Sequence, residues 1–153
     1  MQQQSNDIPP FDERGNLPSG IHKSTIDDVV HYFGSKSLKR KQLAKNLKIF
    51  YDVVSYYAKS IYVDGSFVTS KLSPSDIDIL IVFPNHIRFN TNVERRVADF
   101  LNNYGKFKLH IFVCFETDLE REAYWTDWFT KTKKDENGRQ FPKGIISLEV
   151  RND

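Results

Sequence analysis

The sequence predicts one α/β or α+β domain in which helices pack on a sheet. Three observations carry this. Helical and strand spacings of apolar residues alternate in the order α-α-β-(short α)-β-α-β-α-β. A length of 153 residues is one domain's worth of chain. A composition of 39% hydrophobic, 27% charged and 14% aromatic residues belongs to a folded globular domain, because disordered chains are poor in aromatics.

Residues 1–23 are polar and broken by Pro9, Pro10, Gly15, Pro18 and Gly20, which predicts an extended arm. Ile8, Phe11, Leu17 and Ile21 are the side chains able to pin it to the domain, residues 24–153. Ser24 and Thr25 precede Asp27 and Asp28, a helix start with acids in its first turn. Ile26, Val29, Val30 and Phe33 follow at helical spacing, and Gly34 ends the segment. A second helix spans about Leu38 to Ala58 on a stripe of Leu43, Leu47, Phe50, Val54 and Tyr57. Ile61 to Val63 is a short strand that Gly65-Ser66 breaks, with one or two helical turns over Phe67–Ser70. Ile77–Phe83, apolar and β-branched, is the strongest strand, and Pro84-Asn85 stops it. Thr91 to Glu94 is a capping box for a helix of Val93, Val97, Phe100, Leu101 and Tyr104 that ends at Gly105. Lys106–Phe115 reads as a strand, Leu119–Lys131 as a helix, 133–144 as a charged loop and Gly144–Val150 as a last strand.

Several function classes are excluded by composition. The longest apolar runs, Ile79–Phe83 and Ile111–Phe115, have five residues each, where a membrane helix needs about 20. The opening MQQQSNDIPP lacks the basic and apolar regions of a secretory signal. The lone Cys114 has no internal disulfide partner, which fits a reducing, cytoplasmic setting. A net charge of +2 does not demand nucleic acid as a partner.

Chemistry concentrates between Val63 and Ile79. Alternation along the strand places Asp76, Asp78, Leu80 and Val82 on one face and Ile77, Ile79, Ile81 and Phe83 on the other. Asp76 and Asp78 thus stand side by side, with Cα atoms roughly 7 Å apart. Two like charges at the lip of a buried strand repel unless a cation lies between them. Hard divalent cations such as Mg²⁺ favour such oxygens. Upstream, Gly65 permits a sharp exit from the strand, and the backbone N–H groups of a turn opened by Ser66 favour an anion. A phosphate-binding turn beside a metal-binding pair suits phosphoryl or nucleotidyl transfer.

Gly65-Ser66, nine intervening residues and then Asp76-Ile77-Asp78 resemble the signature of the DNA polymerase β-like nucleotidyltransferase fold. The segments FDERGNLPSGIH, VDGSFVTSKLSPSDIDI and NGRQFPKGIISLEV are similar to a family of small, mostly uncharacterised prokaryotic and phage nucleotidyltransferase-like proteins. The resemblance implies a minimal nucleotidyltransferase fold, a short mixed sheet with helices mainly on one face. It implies that Gly65 and Ser66 hold the phosphates of an NTP and that Asp76 and Asp78 ligate Mg²⁺ or Mn²⁺. The nucleotidyl group would pass to a hydroxyl of a protein, an RNA or a small molecule. A third acid is expected on the next strand, where His110 stands instead, either as base for the attacking hydroxyl or as the mark of lost catalysis. Glu116 is the fallback ligand. The alternative is a catalytically impaired binding or regulatory module of the antitoxin-like or phage-defence kind.

Each of these residues has a plainer reading beside the chemical one. The carboxylates also suit a solvated strand start, and His110 a histidine satisfied by hydrogen bonds. Asp64 reads as a structural cap on the Gly-Ser turn. Lys143 either flanks the last strand or reaches a triphosphate. Trp125, Trp128 and Phe129 read as core ahead of a base-stacking platform. The basic run from Lys36 to Lys48 reads as a solvated helix face, with RNA binding the minor option.

Overall fold

The structure, a computed structural model, describes residues 8–89, 91–102, 104–132 and 134–151. The first seven residues of the arm, Lys133, and the side chains of Val93 and Tyr104 expected on the third helix lie outside the described residues.

The elements are β1 (Gly20–Ser24), α1 (Ile26–Gly34), α2 (Leu38–Val54), β2 (Ser60–Asp64), a 3₁₀ turn over Ser66–Val68, β3 (Ile77–Phe83), α3 (Asn92–Asn102), α4 (Tyr104–Phe107), β4 (Leu109–Phe115), α5 (Leu119–Phe129) and β5 (Gly144–Leu148). The five strands form one mixed sheet in the order β1-β5-β2-β3-β4. β1 runs parallel to β5 and β3 parallel to β4, while β2 is antiparallel to both of its neighbours. No described helix is long and apolar enough to cross a membrane.

The predicted helix starts form as expected. Thr25 Oγ1 accepts from the Asp28 N–H at 3.1 Å, and Ser37 Oγ accepts from the Arg40 N–H at 3.2 Å. Thr91 Oγ1 accepts from the Glu94 N–H at 3.1 Å. Each hydroxyl satisfies an N–H that the first helical turn leaves unpaired.

Alternation in the strands then sorts two cores. Ile61, Val63, Ile77, Ile79, Ile81 and Phe83 pack against Val29 and Phe33 of α1, Leu43, Leu47 and Phe50 of α2, and Val97 of α3. On the other face Leu80, Val82, Cys114 and Ile145 meet Phe129 of α5, with Tyr62, Phe112 and Trp125 around them. Helices therefore lie mainly on one face, and a single helix partly covers the second.

Two expectations need correction. The arm ends in a strand: Gly20–Ser24 pairs along β5, from Gly20 with Gly144 to Ser24 with Leu148. As an edge strand it pairs on one side only, and its mostly exposed residues show no apolar alternation. Gly144 makes room for the arm, since a Cβ there would lie 2.1 Å from the Pro18 carbonyl oxygen. Ile8 and Leu17 are buried, as the pinning reading expects, whereas Ile21 is exposed. The second correction concerns Lys106–Phe115. Helical structure resumes over Tyr104–Phe107, and the strand begins only at Leu109. Lys108, at φ +59°, makes the turn between them. Gly105 thus does not end helical structure, because an N–H three residues on can still reach back to its carbonyl, at 3.4 Å from Lys108 N.

Candidate active site

The site forms where β2 ends and β3 begins. In the antiparallel register Asp64 lies opposite Asp78, and in the parallel register Asp78 lies beside His110. Directly paired residues share a sheet face, so these three polar side chains interrupt the face that Leu80 and Val82 continue as core. That is the α5 face, the one with less cover.

Gly65 follows at φ +85°, a conformation that side chains disfavour. A Cβ at this position would stand 3.1 Å from Asp78 Oδ2 and 3.3 Å from the Asp78 backbone nitrogen. The glycine both turns the chain and lets the Asp78 carboxylate lie close against the corner. Ser66 opens the 3₁₀ turn, closed by the Val68 N–H to Gly65 O at 3.2 Å.

The segment after Gly65 is held from below by Arg40, which is 2% exposed. Its guanidinium donates to the carbonyls of Phe33 at 3.0 Å, Phe67 at 2.6 Å, Ser66 at 3.2 Å, Thr69 at 2.6 Å and Lys71 at 2.9 Å. A planar fork suits this task, whereas a lysine could reach few of these acceptors at once. Burial pulls the Arg40 pKa below its ordinary value.

Asp64 is 3% exposed and forms a buried ion pair and hydrogen bond with Lys143, itself 8% exposed. Burial pushes the Asp64 carboxyl up to about 6, against the opposing pull of Lys143 and of the Gly65 N–H, while Asp78 adds to the rise. The Asp78 carboxyl is also raised, first by burial and then by Asp76, and the nearby His110 and Lys143 oppose this. His110 Nδ1 lies 3.3 Å from Asp78 Oδ1.

Asp64, Gly65, Ser66, Asp78 and Lys143 line one cleft of about 340 Å³. Asn16 of the arm, Thr69 and Lys71 also line it, as do Trp128 of α5 and Lys131, Thr132 and Gln140 of the segment after it. This volume lies within the range of small-molecule sites. Three lysines against two aspartates give it a surplus of positive charge, suited to a polyanion.

Sequence reasoning thus locates Gly65, Ser66 and Asp78 in a common cleft, with His110 behind Asp78. Asp76 is exposed and precedes β3, and neither it nor His110 is among the described residues lining the cleft. Glu116 is removed from consideration as a fallback ligand. It sits just past the far end of β4, accepts from the Asn85 N–H at 2.8 Å and lies 3.6 Å from Lys59 Nζ. Among the described residues no three His, Cys, Asp or Glu side chains converge as a metal cage. Mg²⁺ needs no such cage, since one or two carboxylates, water and substrate phosphates suffice. The donor chemistry suits that requirement: Asp78 lines the cleft, and its carboxyl is raised first by burial and then by the charge of Asp76, which a divalent ion would offset.

The sequence misled on the role of Arg40 and held no sign that Asp64 and Lys143 pair. Arg40 belongs to the basic run taken as a solvated face, yet it stands three and seven residues before Leu43 and Leu47 on the buried stripe of α2. It is also the one arginine among the lysines of that run. The Asp64–Lys143 pair left no local signal, because the partners are 79 residues apart. Asp64, expected to cap the corner, instead takes its hydrogen bond from Lys143.

The chain matches a family model over residues 9–149, described as a family of unknown function (DUF6932), and it belongs to that family. No curated protein matches it. Among solved structures it is similar to "a putative nucleotidyltransferase from Sulfolobus solfataricus", with 22% sequence identity, 57% of this chain and 83% of that chain covered, and a TM-score of 0.34. A likeness at that score carries no inference about the present chain.

Proposed function

We propose that this DUF6932 protein is a Mg²⁺-dependent nucleotidyltransferase that moves a nucleotidyl group from an NTP to a hydroxyl. The observation that carries the reading is the approach of the Asp78 carboxylate to the Gly65-Ser66 corner, at 3.1 Å from where a side chain at 65 would begin. Phosphate donors and a metal-binding carboxylate thereby share one cleft.

The acceptor oxygen attacks the α-phosphorus, the bond to the β-phosphate oxygen breaks, and pyrophosphate leaves. Ser66 donates its hydroxyl to the phosphates, and Lys71 and Lys131 draw the polyanion to the cleft. Arg40 keeps the 66–71 backbone in position without touching substrate. Asp78, with Asp76, would hold Mg²⁺, which supplies charge neutralisation and a more acidic attacking hydroxyl when bound. His110, beside Asp78 but outside the cleft lining, takes the proton from a hydroxyl that approaches Asp78 on that side, and Asp78 steadies the resulting imidazolium.

The test is transfer of label from an α-labelled NTP to an acceptor. Asp78→Asn abolishes transfer while the unfolding midpoint stays near that of the wild type. Undiminished turnover in that variant would overturn the reading. His110 in place of a third acid favours a second reading, a binding module that retains the nucleotide but not the chemistry. Mg²⁺-dependent NTP binding without product for any acceptor distinguishes it.

A further inference from the structure

We infer that Trp128 is the stacking platform for a nucleobase, so that the cleft selects a nucleoside triphosphate over a bare polyphosphate. The inference rests on the proposed nucleotidyl chemistry and adds the part of the substrate that chemistry does not touch.

Trp128 was expected in the core with Trp125 and Phe129. It is instead 47% exposed and lines the same cleft as Ser66 and Lys143. Other large side chains of the surface, such as Leu119 and Tyr124, are more exposed, but Trp128 is the aromatic side chain that lines this cleft among the described residues. Its position is fixed by the fold. Phe112, Trp125 and Phe129 surround it with ring centroids at 6.2, 5.7 and 5.6 Å.

The segment after Trp128 is tied to the one that carries Lys143 by the backbone. The Lys143 N–H donates to Thr130 O at 2.8 Å, and the Thr132 N–H to Phe141 O at 2.9 Å. Trp128, two residues before Thr130, is therefore held beside the segment that carries Lys143. A second link runs through the rings: His110 lies 4.4 Å from Phe112, which in turn neighbours Trp128. A ligand with its phosphates at Gly65-Ser66 shares one cleft with Trp128. Flat aromatic ligands gain most from an exposed indole, and every base has a π-face to offer. The polar lining residues Thr132 and Gln140 suit the edge of such a base.

The experiment compares ATP and inorganic tripolyphosphate, each with Mg²⁺, by calorimetric titration of the full chain. In the wild type ATP binds about tenfold or more tighter than tripolyphosphate. In Trp128→Ala that preference disappears while the tripolyphosphate affinity is retained, and Trp128→Phe keeps most of it. ATP, but not tripolyphosphate, quenches the wild-type tryptophan fluorescence. A preference unchanged in Trp128→Ala overturns the stacking role, as does an equal loss for both ligands. Failure of both ligands to bind the wild type overturns the nucleotidyl reading as well, whereas tripolyphosphate binding with no gain for ATP overturns only the base platform.

Discussion

The two faces of the sheet are built from alternate residues of the same strands, yet they meet different fates. Ile61, Val63, Ile77, Ile79 and Ile81 are fully buried beneath α1 and α2. The residues between them begin as core at Leu80 and Val82 and become polar at Asp64 and Asp78. The face under two long helices has no room for chemistry. The face under α5 alone is covered at one end and open at the other, so a buried Asp64–Lys143 pair and a half-buried Asp78 can border a cleft. Incomplete cover is what lets the site exist.

If this comparison holds, the largest loss comes from Arg40, which joins the thick face to the site. Arg40→Met leaves several carbonyls without donors and is expected to cost about 4–5 kcal/mol by denaturant unfolding. Arg40→Lys recovers little of it, because an ammonium cannot span the same acceptors. A mild effect would show that the 66–71 segment holds its shape unaided.

Neighbouring truncations sharpen the contrast. Ile79→Ala, beneath α1 and α2, is expected to cost about 4 kcal/mol, and Leu80→Ala, on the α5 face, about 3 kcal/mol because the thinner cover relaxes more easily around the cavity. Urea titrations of the two variants check the order, and a reversed order breaks the comparison.

Lys143→Met is expected to cost about 2 kcal/mol at pH 8. Asp64, already pushed up to about 6 against the pull of Lys143, rises further once that charge is removed, so protonation limits the cost of orphaning it. Its raised carboxyl adds stability below the unfolded pKa that is lost as pH rises through the folded one, so the deficit shrinks at pH 5. Adding Asp64→Leu should restore part of the stability, and denaturation of the four proteins of this cycle at both pH values tests it.

The smallest effect concerns Cys114, buried on the α5 face. Burial raises its thiol to about 11, which leaves roughly a thousandth as thiolate at pH 8. A thiol reagent should react with native protein far more slowly than with unfolded protein. Equal rates would mean that the α5 cover opens freely.

Much of this was legible without coordinates. The β-branched run Ile77–Phe83, the hydroxyl caps at Thr25 and Thr91 and the stripe Leu43, Leu47, Phe50, Val54 each carry a periodicity or a cap that local chemistry enforces. β1 was not legible, because an exposed edge strand need not alternate. The depth of Arg40 was only half legible: its place on the apolar stripe is written in the spacing, but not its acceptors in a loop some 30 residues away.

By itself the sequence determined the elements other than β1 and α4, the glycine corner and the carboxylates at the start of β3, since these depend on residues close along the chain. Only the tertiary structure decided that Asp64 and Lys143 pair in burial, that His110 stands beside Asp78 and that Trp128 opens onto the same cleft. The physical reason is that strand register and burial are set by which faces pack together, and no short stretch of chain contains both partners of such a contact.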